Sequence, residues 1–121
     1  DADDGNDWNS SDLKAWLEED FASQAFTDDE MNEIDGVPTL LSVDEARSYF
    51  GFYGMCEPTQ QAVNNGAYKD EDNGACVWWL RSSGVDSDFA ALVGADGYVD
   101  SDGYYVDRTG FAVRPALWIN L

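Results

Sequence analysis

The 121-residue chain contains no histidine, only two cysteines, and six basic residues against 25 acidic ones. Without histidine it lacks the commonest zinc ligand and the usual general base of enzymes. The net charge of −19 argues against nucleic acids and anionic membrane surfaces as partners, because too few cations are present to neutralise phosphates. No apolar run approaches the roughly 20 residues of a membrane-spanning helix, so we expect no membrane insertion.

The two cysteines, Cys56 and Cys76, are too few for a structural zinc site, and no motif surrounds them. A disulfide and two unpaired, partly buried thiols both fit the sequence, and we favour the thiols. We expect no cofactor and no metal.

The composition is that of one globular domain over residues 1–121. Hydrophobic residues make up 44% and aromatics 14%, enough for a core without staples. The acidic segment 1–7 is expected to be disordered.

Helices are predicted in the first half of the chain. Residues 9–26 form one helix, with Ser10 or Ser11 as its N-cap. Two capping boxes follow, at Thr27–Glu30 and Ser42–Glu45. The first helix carries an apolar stripe at helical spacing: Leu13, Trp16, Leu17 and Phe21.

The second capping box opens a helix that presents Ala46, Tyr49 and Phe50 and ends at Gly51. Residues 38–42 are predicted to form a short buried strand before it. Residues 51–74 lack periodicity and are predicted to be a loop.

Strands are predicted in the second half, at residues 75–81, 89–93, 97–99, 103–106 and 111–121. The dipeptides Asp96-Gly97 and Asp102-Gly103 supply turn residues between them. This order predicts an α+β fold, with two or three N-terminal helices packed on a C-terminal antiparallel sheet with long loops.

The stretch Asp96–Asp107, "DGYVDSDGYYVD", resembles a calcium loop in composition but not in spacing. An EF-hand needs oxygen ligands at positions 1, 3 and 5 and glycine at position 6. Counting from Asp96 puts Tyr98 at position 3, and counting from Asp100 puts glycine at position 4. Other calcium geometries stay open.

Residues 82–113 contain no Lys, Glu, Gln, Met or Trp, although these five types make up 18 of the first 81 residues. They are the amino acids that an asparagine codon, AAC or AAT, cannot reach when only its adenines are replaced. The residues present are rich in Tyr, Ser, Gly and Asp, which suit an adaptable binding surface. Some positions in the window are small, apolar or turn-forming and therefore structural: Ala90, Ala91, Val93, Gly97, Val99, Gly103, Val106 and Val113.

The segments flanking the window resemble a known domain, most sharply at Trp78–Arg81, "WWLR", and at Val113–Trp118, "VRPALW". The chain resembles a bacterial and viral domain of the C-type lectin fold, the DUF6273 type. Members of this kind occur as variable proteins of diversity-generating retroelements, in which adenine-directed copying rewrites the 3′ end of the gene.

The resemblance implies a ligand-binding surface made of variable residues over the window 82–113. The diversified positions would be Val85, Asp86, Asp88, Phe89, Leu92, Gly94, Ala95, Tyr98, Asp100, Ser101, Tyr104, Tyr105, Asp107, Arg108, Thr109 and Phe111. The scaffold, as core or sheet support, would be Trp78, Trp79, Arg81, Arg114, Pro115 and Trp118. Ser83 and Ala112 depart from the family's usual Pro and Gly, and the family's upstream strands have no counterpart before Asp1, so the closing strand is left unassigned.

The predicted function is therefore a non-enzymatic module on a virion or cell surface, or secreted, that binds a protein or glycan ligand. A fixed-specificity, calcium-dependent lectin is the main alternative. An enzyme of the formylglycine-generating type, which shares the broad fold and uses paired cysteines on a metal, is weaker, since Cys56 and Cys76 form a pair in number only.

Overall fold

The structure, a computed structural model, describes residues 7–119. The disorder predicted for residues 1–6 lies outside this range. Asp7 was included in that prediction, yet its side chain accepts a hydrogen bond from the Asn9 N–H and caps a 3₁₀ turn at Trp8–Ser10. No helix within residues 7–119 is long and apolar enough to cross a membrane.

The first helical segment is confirmed, with Ser11 as the N-cap. It consists of α1 (Asp12–Trp16), a π-helical turn (Leu17–Phe21) and α2 (Ala22–Ala25). Leu17 is fully buried, whereas Trp16 is 42% exposed. The predicted stripe is thus only partly a core face, and the Trp16 ring instead meets the Phe21 ring at 5.4 Å.

Both capping boxes are confirmed, because each N-cap hydroxyl accepts the N–H of a glutamate that bonds back to the N-cap N–H. They open α3 (Asp28–Met31) and α4 (Val43–Phe50), and Gly51 ends α4 with a positive φ of 58°. The predicted loop 51–74 was wrong in one part, since it contains α5 (Gln60–Asn64). Its N-cap, Thr59, was the available signal, but too few apolar residues follow to form a stripe.

The strands are β1 (Ile34–Thr39), β2 (Trp78–Ser83), β3 (Phe89–Val93), β4 (Val99–Tyr105) and β5 (Ala116–Ile119). They form two antiparallel sheets, one of order β1-β5 and one of order β2-β3-β4. The α+β class is confirmed. The prediction of a single C-terminal sheet was wrong, because β1 lies between α3 and α4 in the sequence and pairs with the last strand, β5.

The strand predicted at residues 38–42 is shifted, because β1 ends at Thr39 and Leu40 is buried outside it. Pro38 is tolerated within β1 at the point where the register with β5 shifts. The strand predicted from residue 75 starts only at Trp78.

The turn predicted at Asp96-Gly97 is confirmed, since the Gly97 N–H donates to the Gly94 carbonyl at 2.9 Å. The turn predicted at Asp102-Gly103 was wrong, because this dipeptide lies inside β4. The pairing of β4 with β3 shifts register here, and Gly103 has a φ of 78°. Gly103 therefore forms a β-bulge rather than a hairpin turn.

The core lies between α4 and the three-stranded sheet. Trp78 is fully buried, and its indole N–H donates to the Gly54 carbonyl at 3.0 Å. Phe50 meets the Trp78 ring edge-to-face at 6.1 Å. Around this contact lie Ala46, Cys76, Leu80, Ala91 and Val93.

We predict that Gly103→Ala destabilises the protein more than Gly36→Ala does. Both glycines have positive φ, of 78° and 87°, so both substitutions carry a similar backbone strain of about 1–2 kcal/mol. A Cβ at Gly103 would lie 2.0 Å from the Ala90 carbonyl oxygen, whereas one at Gly36 meets nothing within 4 Å. Chemical denaturation of both variants measures the difference, and equal losses would show that the bulge is not tightly packed.

Candidate ligand-binding face

The three-stranded sheet has an inner face against the core and an outer face away from it. Successive strand residues point to opposite faces, and Trp78 and Leu80 belong to the buried inner face. Trp79 is paired in register with Leu92, which in turn is paired with Asp100. These three residues mark a row across the outer face.

The residues predicted to vary are mostly exposed, and those predicted to be structural mostly are not. Eleven of the sixteen predicted variable residues are exposed, and four more are half-buried: Phe89, Gly94, Ala95 and Phe111. Of the eight predicted structural positions in the window, seven are buried or half-buried. Two residues depart from the division, because Leu92 is only 7% exposed and Val113 is 39% exposed. Leu92 thus lies beneath the outer surface rather than on it.

A group of rings that we call the outer-face aromatic cluster forms the centre of this surface. Its members are Trp79, Phe89, Tyr104, Tyr105 and Phe111. Trp79 and Tyr104 lie on the outer face, whereas Phe89 and Tyr105, at the start of β3 and the end of β4, meet the other rings around the end of the sheet. Ring centroids lie 5.1 Å apart for Trp79–Phe111, 5.9 Å for Tyr104–Phe111 and 5.6 Å for Tyr104–Tyr105. Phe89 joins at 4.6 Å from Tyr105. The rings come from four separate segments: β2, β3, β4 and the segment before β5. The sheet register sets Phe89 opposite Tyr105, and the Trp79 N–H donates to the Ala112 carbonyl at 3.1 Å.

Arg108 lies over the aromatic cluster. Its guanidinium carbon is 5.7 Å from the centroid of the Tyr104 ring and 5.5 Å from that of Phe111. This is the separation of a cation–π interaction. The cluster thus already holds a cationic side chain of the chain itself.

Tyr98 does not join the outer-face aromatic cluster. Its ring meets Phe52 at 5.2 Å, in a T-shaped contact on the far side of the β3–β4 turn. The two rings line an open groove of about 380 Å³ together with Arg47, Gly51 and Val99. Sequence reasoning missed Phe52, which is 71% exposed; the aromatic pair Phe52-Tyr53 after the helix stop was the signal. The sequence analysis also assigned Trp79 to the scaffold alone, although its ring belongs to the outer-face aromatic cluster.

Five aspartates are exposed on β4 and in the segments just before β3 and just after β4: Asp86, Asp88, Asp100, Asp102 and Asp107. Asp100 has a local structural role, because its Oδ1 accepts the N–H groups of Asp102 and Gly103 at 3.1 Å each and so fixes the bulge. Within residues 7–119, no group of three or more acidic or cysteine side chains is placed to hold a metal ion.

The predicted scaffold residues hold the sheet in three different ways. The guanidinium of Arg114 contacts both rings of the edge-to-face pair, with its carbon 4.7 Å from the centroid of Phe50 and 4.8 Å from that of Trp78. Arg81 pairs with Glu45 on α4 and donates to the Leu40 carbonyl at 2.8 Å. Pro115 is half-buried just before β5.

Trp118, expected as core or sheet support, lies on a strand and outside the core. It belongs to β5, so it does support a sheet, but it is 54% exposed. Its ring meets that of Tyr49 at 6.5 Å on the surface. The two-stranded sheet β1-β5 has too little cover in the described part of the chain to bury it.

The two cysteines are free thiols, as favoured, and the fold brings them together. The Cys76 N–H donates to the Cys56 carbonyl at 2.8 Å, and Cys76 is buried. Burial, and next the neighbouring Cys56, raises the pKa of the Cys76 thiol to about 11. At neutral pH Cys76 is therefore protonated, which disfavours thiolate chemistry at this pair.

The fold and the exposed face define an α+β domain with one large aromatic surface on its three-stranded sheet. The family model described as "Domain of unknown function (DUF6273)" matches residues 36–121, and the chain belongs to this family. No curated protein and no solved structure matches the chain.

We predict that Glu45→Gln lowers the free energy of unfolding at pH 7 by about 1 kcal/mol, since it removes the ion pair with Arg81. The hydrogen bond from the Ser42 N–H, and secondly Arg81, holds the pKa of Glu45 below its ordinary value of 4.5. A carboxyl with a lowered pKa in the folded state stabilises it above that value and loses this effect as the pH falls. The difference between wild type and variant should therefore shrink below pH 4.5.

Glu30→Gln is the matched control, because Glu30 fills the same position in the other capping box. Its carboxylate accepts the Thr27 N–H at 2.9 Å, but residues 7–119 provide no arginine partner for it. Urea titrations at pH 7 and pH 4 measure both variants. Equal losses would mean that the helix cap, rather than Arg81, accounts for the effect of Glu45.

Proposed function

We propose that this protein is a non-enzymatic ligand-binding module of the C-type lectin type, whose outer sheet face is diversified by a retroelement. The face consists of the outer-face aromatic cluster, Arg108 and the surrounding aspartates. Its targets are proteins or surface glycans, met from a virion or cell surface or as a secreted protein. Side-chain variety on a rigid sheet, rather than a catalytic group, supplies the function.

The observation that carries the proposal is the division of the window 82–113 by exposure. The codon pattern marks the window as a whole, and within it most residues that the family resemblance assigns as variable are exposed, whereas most of those assigned as structural are not. A surface position can change with little effect on stability, whereas a core position cannot. This match between the assigned positions and their exposure supports diversification of one face.

The topology also supports a C-type lectin type of fold. The strand after the N-terminal helical segments, β1, pairs antiparallel with the last strand, β5, while the three-stranded sheet carries the variable hairpin separately. The positive φ angles of Gly97 and Gly103, together with the Asp100 carboxylate that accepts two N–H groups of the bulge, set the path of that hairpin. The other exposed side chains of the hairpin can therefore differ without altering the path of the chain.

A fixed-specificity calcium lectin is not favoured by any arrangement within residues 7–119, because no cluster there suits a metal ion. The cysteine pair does not favour an enzyme, since the raised pKa of Cys76 keeps its thiol protonated.

We predict that changing Tyr98, Tyr104 and Tyr105 together to serine lowers Tm by no more than about 8 °C. Their rings are 42–53% exposed, so the folded state loses mainly ring–ring contacts. Val93→Ser is the control, because one serine is placed at a position only 1% exposed. It should cost about 2–5 kcal/mol, more than the three tyrosines together. Calorimetry gives both values, and loss of folding in the triple variant would contradict a freely variable face.

We also predict that the DNA beside the gene encodes a reverse transcriptase and a near-copy of the 3′ end. The two copies should differ only where the template has adenine, and mostly at codons within residues 82–113. Sequencing the locus tests this. If neither element is present, the missing residue types are an accident of composition, and diversification is ruled out for this gene.

A further inference from the structure

We propose that the outer face, with the residues it carries in this chain, docks on a protein surface in which lysine and arginine side chains surround an apolar centre. This inference rests on the proposed function and names the partner class of the same face. It follows from three observations: the ring cluster, the charges around it, and the position of Arg108.

The centre of the face is suited to a protein rather than to a small polar ligand. Tyr104 and Tyr105 are 42% and 50% exposed and contact each other edge-to-face, with Leu92 buried in the strand beside them. Exposed tyrosines offer large contact area at low entropic cost, and aromatic residues are enriched at the centres of protein interfaces. The contact surface is open rather than a deep pocket, which fits a broad partner.

Exposed aspartates adjoin the ring-bearing residues along the chain. Asp88 directly precedes Phe89, Asp102 lies two residues before Tyr104, and Asp107 lies two residues after Tyr105. All three carboxylates are on exposed residues. Complementary potentials steer a partner to such a patch and reject partners of like charge. The complementary surface is therefore basic at its rim.

Arg108 shows that these rings accept a guanidinium. It lies above Tyr104 and Phe111 at cation–π distance, although it belongs to the same chain. A partner's arginine placed over Phe89 or Tyr105 would make the same contact with a carboxylate beside it. The aspartates and the rings therefore both favour arginine side chains on the partner.

A second copy of this chain is a poor occupant of the face. With a net charge of −19, two copies repel each other, and face-to-face contact would set aspartates against aspartates. The same repulsion opposes acidic proteins. The basic protein surface is the partner class that both the rim and the whole chain attract.

The test is selection of a random dodecapeptide phage library on the immobilised protein, followed by measurement of the association rates of the enriched peptides. We expect the enriched peptides to carry net positive charge together with an aromatic or aliphatic centre. In the face variant Asp88→Asn/Asp102→Asn/Asp107→Asn, their association at low salt should slow about tenfold, because electrostatic steering is lost. Asp100 is left unchanged because it fixes the bulge.

The matched control is Glu19→Gln/Asp29→Asn/Glu33→Gln, which changes the net charge equally at exposed residues on the N-terminal helical segments and beside β1. It should leave association within about twofold of wild type, since screened charges distant from the contact act weakly. Equal slowing in both variants would overturn the proposal, because the overall charge would then explain binding.

The Tyr104→Ser/Tyr105→Ser variant separates this inference from the proposed function. If the enriched peptides lose binding in this variant but are neutral or acidic, the face binds ligands and only the partner class is wrong. If no enriched peptide depends on these tyrosines, both the partner class and the binding face fail.

Discussion

The buried indole of Trp78 is the contact on which the rest of the structure depends. Phe50 of α4 packs edge-to-face against it, and its N–H donates to the Gly54 carbonyl in the loop that follows α4. The Arg114 guanidinium, from the segment before β5, lies against its ring. The next residue, Trp79, faces the opposite side and supports the outer-face aromatic cluster. Because strand residues alternate in direction, fixing Trp78 in the core also fixes Trp79 on the outer face. One strand therefore connects the buried interior to the exposed aromatic surface.

The interior and the exposed surface are held by different contacts. The small residues Ala46 and Ala91 allow close packing around the indole. On the outer side, the positive φ angles of Gly97 and Gly103 and the Asp100 carboxylate, which accepts two N–H groups of the bulge, set the path of the hairpin. Under the proposed function, the other exposed side chains of the hairpin would be available for recognition, and the Arg108 contact would change with them.

The helix starts could be predicted from the sequence because they depend on neighbouring residues. In both capping boxes a hydroxyl and a glutamate three residues apart bond to each other's N–H groups, whatever the remaining fold. The pairing of β1 with β5 could not be predicted, because the partners are far apart in sequence. Asp96-Gly97 and Asp102-Gly103 show the same limit: one is a turn and the other a bulge, and only the Ala90 partner strand distinguishes them.

Most of the predicted variable residues are exposed, as the sequence led us to expect, but their grouping could not be predicted. The family resemblance marked Tyr98 and Tyr104 alike, yet the sheet sends Tyr98 to Phe52 and Tyr104 to Phe111. Nor could the resemblance tell that Leu92 is covered. The depth of Leu92 depends on its register with Trp79 and Asp100, which is a property of the folded sheet. Under the proposed function, diversification would therefore act on single codons, whereas recognition would depend on how the fold groups the encoded side chains.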